Sequence, residues 1–313
     1  MIKPSRNQFS REGFVTQELR RRKEVRTILT RRCFLTLLIA CLTVGLSFAE
    51  TREPLTQQLD SLSKIRGRFS FAVVGDTRSG GDDYGELIQR MMEHRPDFIV
   101  NLGDMVRSAN RASWVDFWNR SKPIAVPYFL TVGNHDVYDE KSEELYKRQV
   151  DLPGNELYYS FAADDSLFIV LDSNIPGQDR RITGEQYKWL EGVLSTSRQR
   201  HTFVYLHHPL YPEKGRGHHY GGSLDKYPKE RDRLQELFVK YNVTIVFAGH
   251  EHLYLRKVIA GVTEIITGGG GATLYAGEGK GGFHHFILVT VDGDKVEGDL
   301  IDINEKVKDT FRL

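Results

Sequence analysis

With 313 residues the chain has room for one large domain or two small ones, and its 40% hydrophobic and 27% charged residues are ordinary for a globular protein. The formal charge of +1 is unevenly spread: the first 49 residues hold ten Lys or Arg against three Glu, while the rest, with 33 basic and 39 acidic residues, carries about −6. That balance argues against a nucleic-acid-binding protein, and no low-complexity run or internal repeat points to a fibrous or solenoid fold.

Residues 1–49 read as an export signal. In "TRRCFLTLLIACLTVGLSFAE" an apolar run from Phe34 to Ala49 follows Arg31 and Arg32 directly. The arrangement Thr-Arg-Arg-x-Phe-Leu resembles the twin-arginine signal that carries folded proteins across bacterial membranes, and Ser47-Phe48-Ala49 supplies the small residues a signal peptidase reads. The run of 16 residues is short for a spanning helix. An uncleaved anchor, a lipoprotein box at "LIAC" (Leu38 to Cys41) and a plain basic tail before a short apolar helix are the other readings. The expectation is an exported protein, periplasmic or extracellular, with no stable membrane association after cleavage. Both cysteines, Cys33 and Cys41, fall in this segment. The mature chain is therefore expected to lack disulfides and thiolate ligands.

Residues 50–67 are polar and read as a linker or a first helix. Beyond them, short apolar runs alternate with amphipathic stretches. Phe69–Val74, Phe98–Leu102, Tyr128–Val132, Leu167–Leu171, Thr202–Leu206 and Thr244–Ala248 are predicted strands. Tyr84–Glu93, Trp114–Asn119, Glu143–Gln149, Gly184–Leu194 and Lys229–Tyr241 are predicted helices. This alternation argues for an α/β layered fold with largely buried strands. From Leu253 to the end only strands and turns are predicted, which places a second, mostly antiparallel sheet there, with tight turns such as Asp292-Gly293. No proline- or serine-rich linker divides residues 68–313, which are taken as one domain.

Five segments that follow predicted strands carry oxygen or nitrogen ligands: "GDTR" (Gly75 to Arg78), "GDMV" (Gly103 to Val106), "GNHD" (Gly133 to Asp136), "LHHP" (Leu206 to Pro209) and "GHEH" (Gly249 to His252). Alone, each reads as a turn, a helix cap or an ordinary loop. Together and in order they point to one shared metal site, because loops at the carboxyl ends of strands converge over one sheet edge. Asp, Asn and His without Cys suit manganese, iron or zinc.

In this set the sequence resembles the calcineurin-like metallophosphoesterases, especially their purple-acid-phosphatase-like branch, from Phe69 onward. The resemblance implies a four-layer α/β sandwich, two mixed β-sheets flanked by helices, and a centre of two divalent metal ions. By position, Asp76, Asp104 and His252 would hold one ion, and Asp104, Asn134, His207 and His250 the other, so that Asp104 bridges. A carboxylate shared by two dications offsets their repulsion, and a hydroxide bridging the ions would attack phosphorus in line. His135 would protonate or stabilise the leaving oxygen, with Asp136 orienting its ring; a purely structural His135 is the alternative. His208, beside His207, is counted with the candidate substrate contacts.

Two departures stand out. Where the family usually has a histidine ligand, this chain has Arg78, a permanent cation with no lone pair to donate. Arg78 is open to three readings: a clamp on a substrate phosphate, a salt bridge that shapes the loop, or the mark of a one-metal site with little activity. The tyrosine of the purple phosphatases is also missing, since "GDMV" continues "RSAN", which argues against an iron(III)–tyrosinate centre. His218, His219 and Tyr220, in "PEKGRGHHYGGSLDKYPKERD", read as a lid over the substrate or as a surface loop. "TGGGGATLYAGEGKGGFHH" (Thr267 to His285) reads either as turns or as backbone N–H groups brought near a phosphate. The leading expectation is a two-metal hydrolase of a small phosphomonoester or phosphodiester. Its rival is a non-catalytic metal- or phosphate-binding module on the same scaffold.

Overall fold

The computed structural model describes residues 53–78 and 81–313; residues 1–49, read above as an export signal, lie outside the described residues. Helix α1 (Leu55–Ser63) occupies part of the stretch read as a linker or first helix. It buries Leu62, and Gln58 Oε1 accepts the Tyr128 backbone N–H at 3.3 Å.

The first half alternates as its periodicity predicts. Strand β1 (Phe69–Val74), helix α2 (Asp83–Glu93), β2 (Phe98–Asn101), α3 (Arg111–Ser121) and β3 (Tyr128–Leu130) give three parallel strands. Helix α4 (Glu140–Lys147) starts on a capping box between Asp139 and Ser142. Strands β4 (Tyr159–Ala163) and β5 (Ser166–Val170) form a hairpin. Then follow α5 (Gly184–Thr196), β6 (His201–Leu206), α6 (Pro228–Lys240), β7 (Ile245–Ala248), and a second hairpin of β8 (Tyr254–Ile259) and β9 (Val262–Thr267). The chain ends in a meander of β10 (His285–Asp292), β11 (Lys295–Asp302) and β12 (Val307–Arg312).

The two sheets have six strands each, in the orders β12-β11-β10-β1-β2-β3 and β4-β5-β6-β7-β9-β8. This corrects the expectation of a separate C-terminal sheet. Strands β10–β12 extend the first sheet, because β10 pairs antiparallel with β1 from Phe69↔Val291 to Val73↔Ile287. Only β8 and β9 join the second sheet, which already begins at β4. Local pattern identifies a strand, but its partner here lies more than 200 residues away, and turn chemistry says nothing about that distance.

Both sheets are mixed, and they pack face to face on an aromatic core. Phe71 and Phe98 of the first sheet meet the edge of Phe168 from the second at 5.4 and 5.0 Å between ring centres, and Phe129 stacks on Phe161 at 4.0 Å. The alternate positions of the second sheet, such as Ile169, Val204 and Val246, pack instead with Leu190, Leu234 and Phe238 of α5 and α6. Strands covered on both faces read as unbroken apolar runs, which is why their sequence signal is strong. Helices outside both sheets complete four layers, and the carboxyl ends of the parallel strands gather at one edge.

Candidate metal centre

Each of these strands delivers a polar group just past its end. Asp76 follows β1, Asp104 follows β2, Asn134 follows β3, His207 follows β6 and His250 follows β7. The turns that carry them are tied to one another through backbone. Asp76 N–H donates to Gly103 O at 3.0 Å, Arg78 N–H to Asp104 O at 2.9 Å, and Gly249 N–H to His207 O at 3.0 Å. Gly103 and Gly133 touch backbone to backbone: a Cβ on Gly133 would lie 2.0 Å from Asp104 N. Any side chain there would push the Asp104 turn away from Asn134. Asp76, Asp104 and His250 have φ of 59°, 55° and 69°, a left-handed conformation that costs non-glycine residues about 1 kcal/mol each.

The ligand atoms converge as acceptors. His207 Nδ1–H donates to Leu102 O at 2.8 Å, so its Nε2 presents a lone pair. That lone pair faces Asn134 Oδ1 at 3.0 Å, His250 Nδ1 at 3.1 Å and Asp104 Oδ1 at 3.4 Å. His252 is anchored in the same way, Nδ1–H donating to Thr273 O at 2.5 Å; its Nε2 lies 3.4 Å from Asp76 Oδ1, and although burial works against charge on the ring, Asp76 raises its pKa above the ordinary histidine value. His252 Nε2 and Asp76 Oδ1 are both buried without a hydrogen-bond partner. Burial and neighbouring imidazoles hold His208 and His250 well below the usual histidine range, so both rings are neutral. Facing lone pairs repel one another until a cation lies among them, and carbonyl-fixed imidazole tautomers are the usual support of a metal ligand. The residues fit a pair of divalent ions.

Arg78 stands where the missing histidine would be. Its Nε donates to Asp104 Oδ2 at 3.0 Å, with the side chain 14% exposed. Burial works against its charge, but Asp104, Asp76 and the Tyr275 hydroxyl outweigh that and raise its pKa above the ordinary arginine value. The salt-bridge reading of Arg78 is therefore realised, through Nε alone. Burial likewise disfavours charge on Asp104, yet His207, His135 and Arg78 hold its carboxyl below the usual range.

His135 turns toward the same carboxylate, with Nε2 3.9 Å from Asp104 Oδ2 and its side chain 34% exposed. Its ring is not oriented by Asp136, which corrects the sequence expectation. Nδ1–H donates to Arg107 O at 2.8 Å, and the Asp136 carboxylate accepts the backbone N–H groups of Gly133, Asp104, Met105 and Val106 at 2.8–3.1 Å. Adjacent side chains on a turn point apart, so Asp136 shapes the Asp104 turn. His208 is also displaced from its expected part. At 3% exposure it sits among the ligands, a ring nitrogen within 4.8 Å of ligand nitrogens of His207 and His250, its ring 4.4 Å from that of His250 and its Nδ1 2.9 Å from Ser173 Oγ.

The segment after β6 does lie over the ligands. His219 packs its ring on His250 at 4.2 Å, and His218 meets Tyr275 at 4.7 Å. Burial and the neighbouring histidines push the His219 pKa down to about 4. Tyr220 is 53% exposed. Tyr275, unmarked in the sequence reading, stacks on His252 at 4.7 Å with 17° between planes. The glycines before it are spacers. Gly270 N–H donates to Gly75 O at 2.8 Å, and a Cβ on Gly270 would sit 2.3 Å from that oxygen. The N–H groups of Gly268 and Gly270 are used by the Leu253 and Gly75 carbonyls, so neither is available to cradle a phosphate. Also unmarked was "DSN" (Asp172 to Asn174) after β5. Ser173 supports His208, Asn174 Nδ2 donates to Val132 O at 2.7 Å, and burial pushes Asp172 up to about 7. The rule that found the other segments, polar residues just past an apolar run, would have found this one.

The model of the calcineurin-like phosphoesterase family matches residues 69–254. The chain belongs to that family. Among calcineurin-like phosphoesterases, it is 28% identical over 202 residues to the human (Homo sapiens) serine/threonine-protein phosphatase CPPED1, covering 57% of this chain and 63% of that protein. To purple acid phosphatase 23 of Arabidopsis thaliana it is 27% identical over 209 residues, covering 54% and 43%. The chain spans less than two thirds of either relative. The fold resembles that of purple acid phosphatase PPD1 from yellow lupin (Lupinus luteus), with a TM-score of 0.66 at 20% identity, over 80% of this chain and 54% of that one. The four-layer architecture expected from the sequence is the one observed.

Proposed function

We propose that this chain is an exported, metal-dependent phosphoesterase that hydrolyses a small phosphomonoester or phosphodiester. One observation carries the reading: acceptor atoms from five turns converge with their protons turned away, and a partly exposed imidazole stands beside them. Asp76, Asp104 and His252 would hold one divalent ion, and Asp104, Asn134, His207 and His250 the second. Manganese, iron or zinc bound there would supply Lewis-acid charge for phosphoryl oxygens and lower the pKa of a water. The chain's own contributions can be stated from its geometry. With Nδ1–H committed to Arg107 O, His135 Nε2 is the ring atom free to deliver a proton to a leaving oxygen. Because Arg78 pairs with Asp104 through Nε, its terminal amino groups, beside the Tyr275 hydroxyl, would donate to phosphate oxygens. His218 and Tyr220, in the segment over the ligands, would contact the remainder of the substrate. Export rests on the arginine pair and apolar run of residues 31–49, and the absence of a Cys in residues 50–313 suits it.

A second reading, a binding module without turnover, is favoured by Arg78, whose charge sits beside Asp104 and Asp76 where a metal-ligating histidine would stand. Hydrolysis of p-nitrophenyl phosphate and its bis-ester, with manganese and with chelator, separates the two. Chelator-sensitive turnover supports the enzyme, and the ratio of the two rates identifies the ester class. Manganese binding without turnover on either ester supports the module.

A further inference from the structure

Glu251 lies between two metal ligands in "GHEH" and is 1% exposed. Its carboxylate does not face the ligands' acceptor atoms. Oε2 accepts the backbone N–H of His218 at 2.6 Å, and Oε1 accepts that of His219 at 2.9 Å. Two successive N–H groups form a concave seat for an anion, and hydrogen bonds to a charged acceptor are about twice as strong as neutral ones. Gly217 is pressed onto the same group, since a Cβ there would lie 1.7 Å from Oε2.

The segment it seats has little else at its tip. Residues 212–223 contain no helix or strand. Lys280 Nζ donates to Gly215 O at 3.0 Å and Arg216 to Lys280 O at 3.4 Å, both at exposed positions. The root is fixed by a second buried carboxylate, Glu264, whose Oε1 accepts Leu210 N–H at 2.7 Å and Tyr211 N–H at 3.3 Å. Root and tip are thus each held on a buried glutamate, and only the tip's glutamate comes from the metal-ligand turn. It is this seat that puts the His219 ring on His250 and the His218 ring on Tyr275.

We propose that Glu251 is a positioning residue that ties the 212–223 segment to the metal-ligand turn, so that His218, His219 and Tyr275 form a fixed wall of the substrate site. The kinetic part of this inference rests on the phosphoesterase reading; the structural part does not. Neither carboxylate oxygen is free for substrate, so Glu251 acts through the segment it holds.

The test uses trypsin on the full chain, because Lys214 and Arg216 lie in the seated segment. Losing two charge-assisted bonds is expected to raise the open population about tenfold or more. Cleavage after Lys214 and Arg216, followed by mass spectrometry, is expected about tenfold faster in Glu251→Ala than in wild type, with Glu251→Gln between them. Manganese content should be unchanged, and KM for p-nitrophenyl phosphate should rise about tenfold with kcat within about threefold. Gly217→Ala attacks the same contact from the other side and leaves the ligand turn intact; it should give the same loss of protection, and it decides the matter if Glu251→Ala does not fold. Equal cleavage rates in wild type and Gly217→Ala would overturn the proposal, as would faster cleavage with an unchanged KM in an active enzyme. If the wild type turns over neither ester, the phosphoesterase reading fails and the cleavage rates alone decide whether Glu251 is the latch.

Discussion

The two halves of the candidate centre solve the same problem differently. On one side, Asn134, His207 and His250 present only neutral acceptors, their lone pairs facing one another at 3.0–3.1 Å. On the other, Asp76, Asp104 and His252 bring two carboxylates, and Arg78 compensates part of that charge from within the chain. Buried anions with a guanidinium beside them are a paired and tolerable arrangement, whereas facing lone pairs call for an external cation. The contrast teaches that losing one ligand has changed the charge balance of a half-site without dismantling it. Asp76 and Asp104 keep their left-handed backbone and their turn-to-turn hydrogen bonds.

The strongest way to break this picture is at Asp104, which touches both halves. Asp104 Oδ1 accepts the His135 backbone N–H at 2.9 Å; Asp104→Asn keeps an oxygen for that bond but removes the charge the two ions would share. Turnover is expected to fall by about 10³ or more and manganese content to drop, both measured on the same preparation. His135→Ala comes next, with kcat lower by about 10²–10³ and metal content unchanged. A loss of metal in that variant would mean that His135 belongs to the ligand set.

Beneath the carboxylate half, Gly269 is wedged against His285, whose Nδ1–H donates to Phe283 O and whose Nε2 accepts from the Thr267 hydroxyl. Burial lowers the pKa of this ring to about 4. Between that value and the unfolded value near 6.5 the unfolded chain binds more protons, so stability falls as pH drops through the window. Going from pH 6.5 to 5, wild type should lose about 2 kcal/mol more than His285→Asn, read from denaturant titrations at each pH. Parallel curves for the two proteins would show that the ring is not held neutral.

The smallest effects, about tenfold, are expected at Arg78 itself. Arg78→Ala should raise KM or lower kcat with metal content unchanged, as loss of one charged phosphate contact would. Arg78→His should tighten binding of the ion on the carboxylate side, read by calorimetric titration with manganese. Unchanged affinity would mean that the two halves differ for a reason other than Arg78.

What could be read from sequence follows from what is local. The apolar run Phe69–Val74 coincides with β1 because it is buried on nearly every side and stops abruptly at Gly75-Asp76. Strand β4 escaped because it is an edge strand, with Ser160 and Ala162 less buried than their neighbours, and offers no unbroken run. All six expected metal ligands are brought to one edge, since each was tied to a strand end. What pairing and packing decide was illegible: β10 beside β1, Asp136 bonded across to the Asp104 turn, Tyr275 folded back onto His252. Glu251 was in plain view between two ligands, but its partners are backbone N–H groups about 30 residues away, which no side-chain pattern records.

The left-handed backbone at Asp76, Asp104 and His250 has a thermodynamic consequence. Because these conformations are imposed by the fold, the entropy of ordering the ligands is lost when the chain folds and need not be lost again when an ion binds. Loading should therefore raise the melting temperature according to affinity and ion concentration alone, with little change in the heat capacity of unfolding. A glycine at one of these positions would relax the backbone but also remove a tie between the turns, since Asp104 pairs with Arg78 and Asp76 accepts the His250 N–H at 2.8 Å, so the residues that bear the strain are also the ones that hold the turns together.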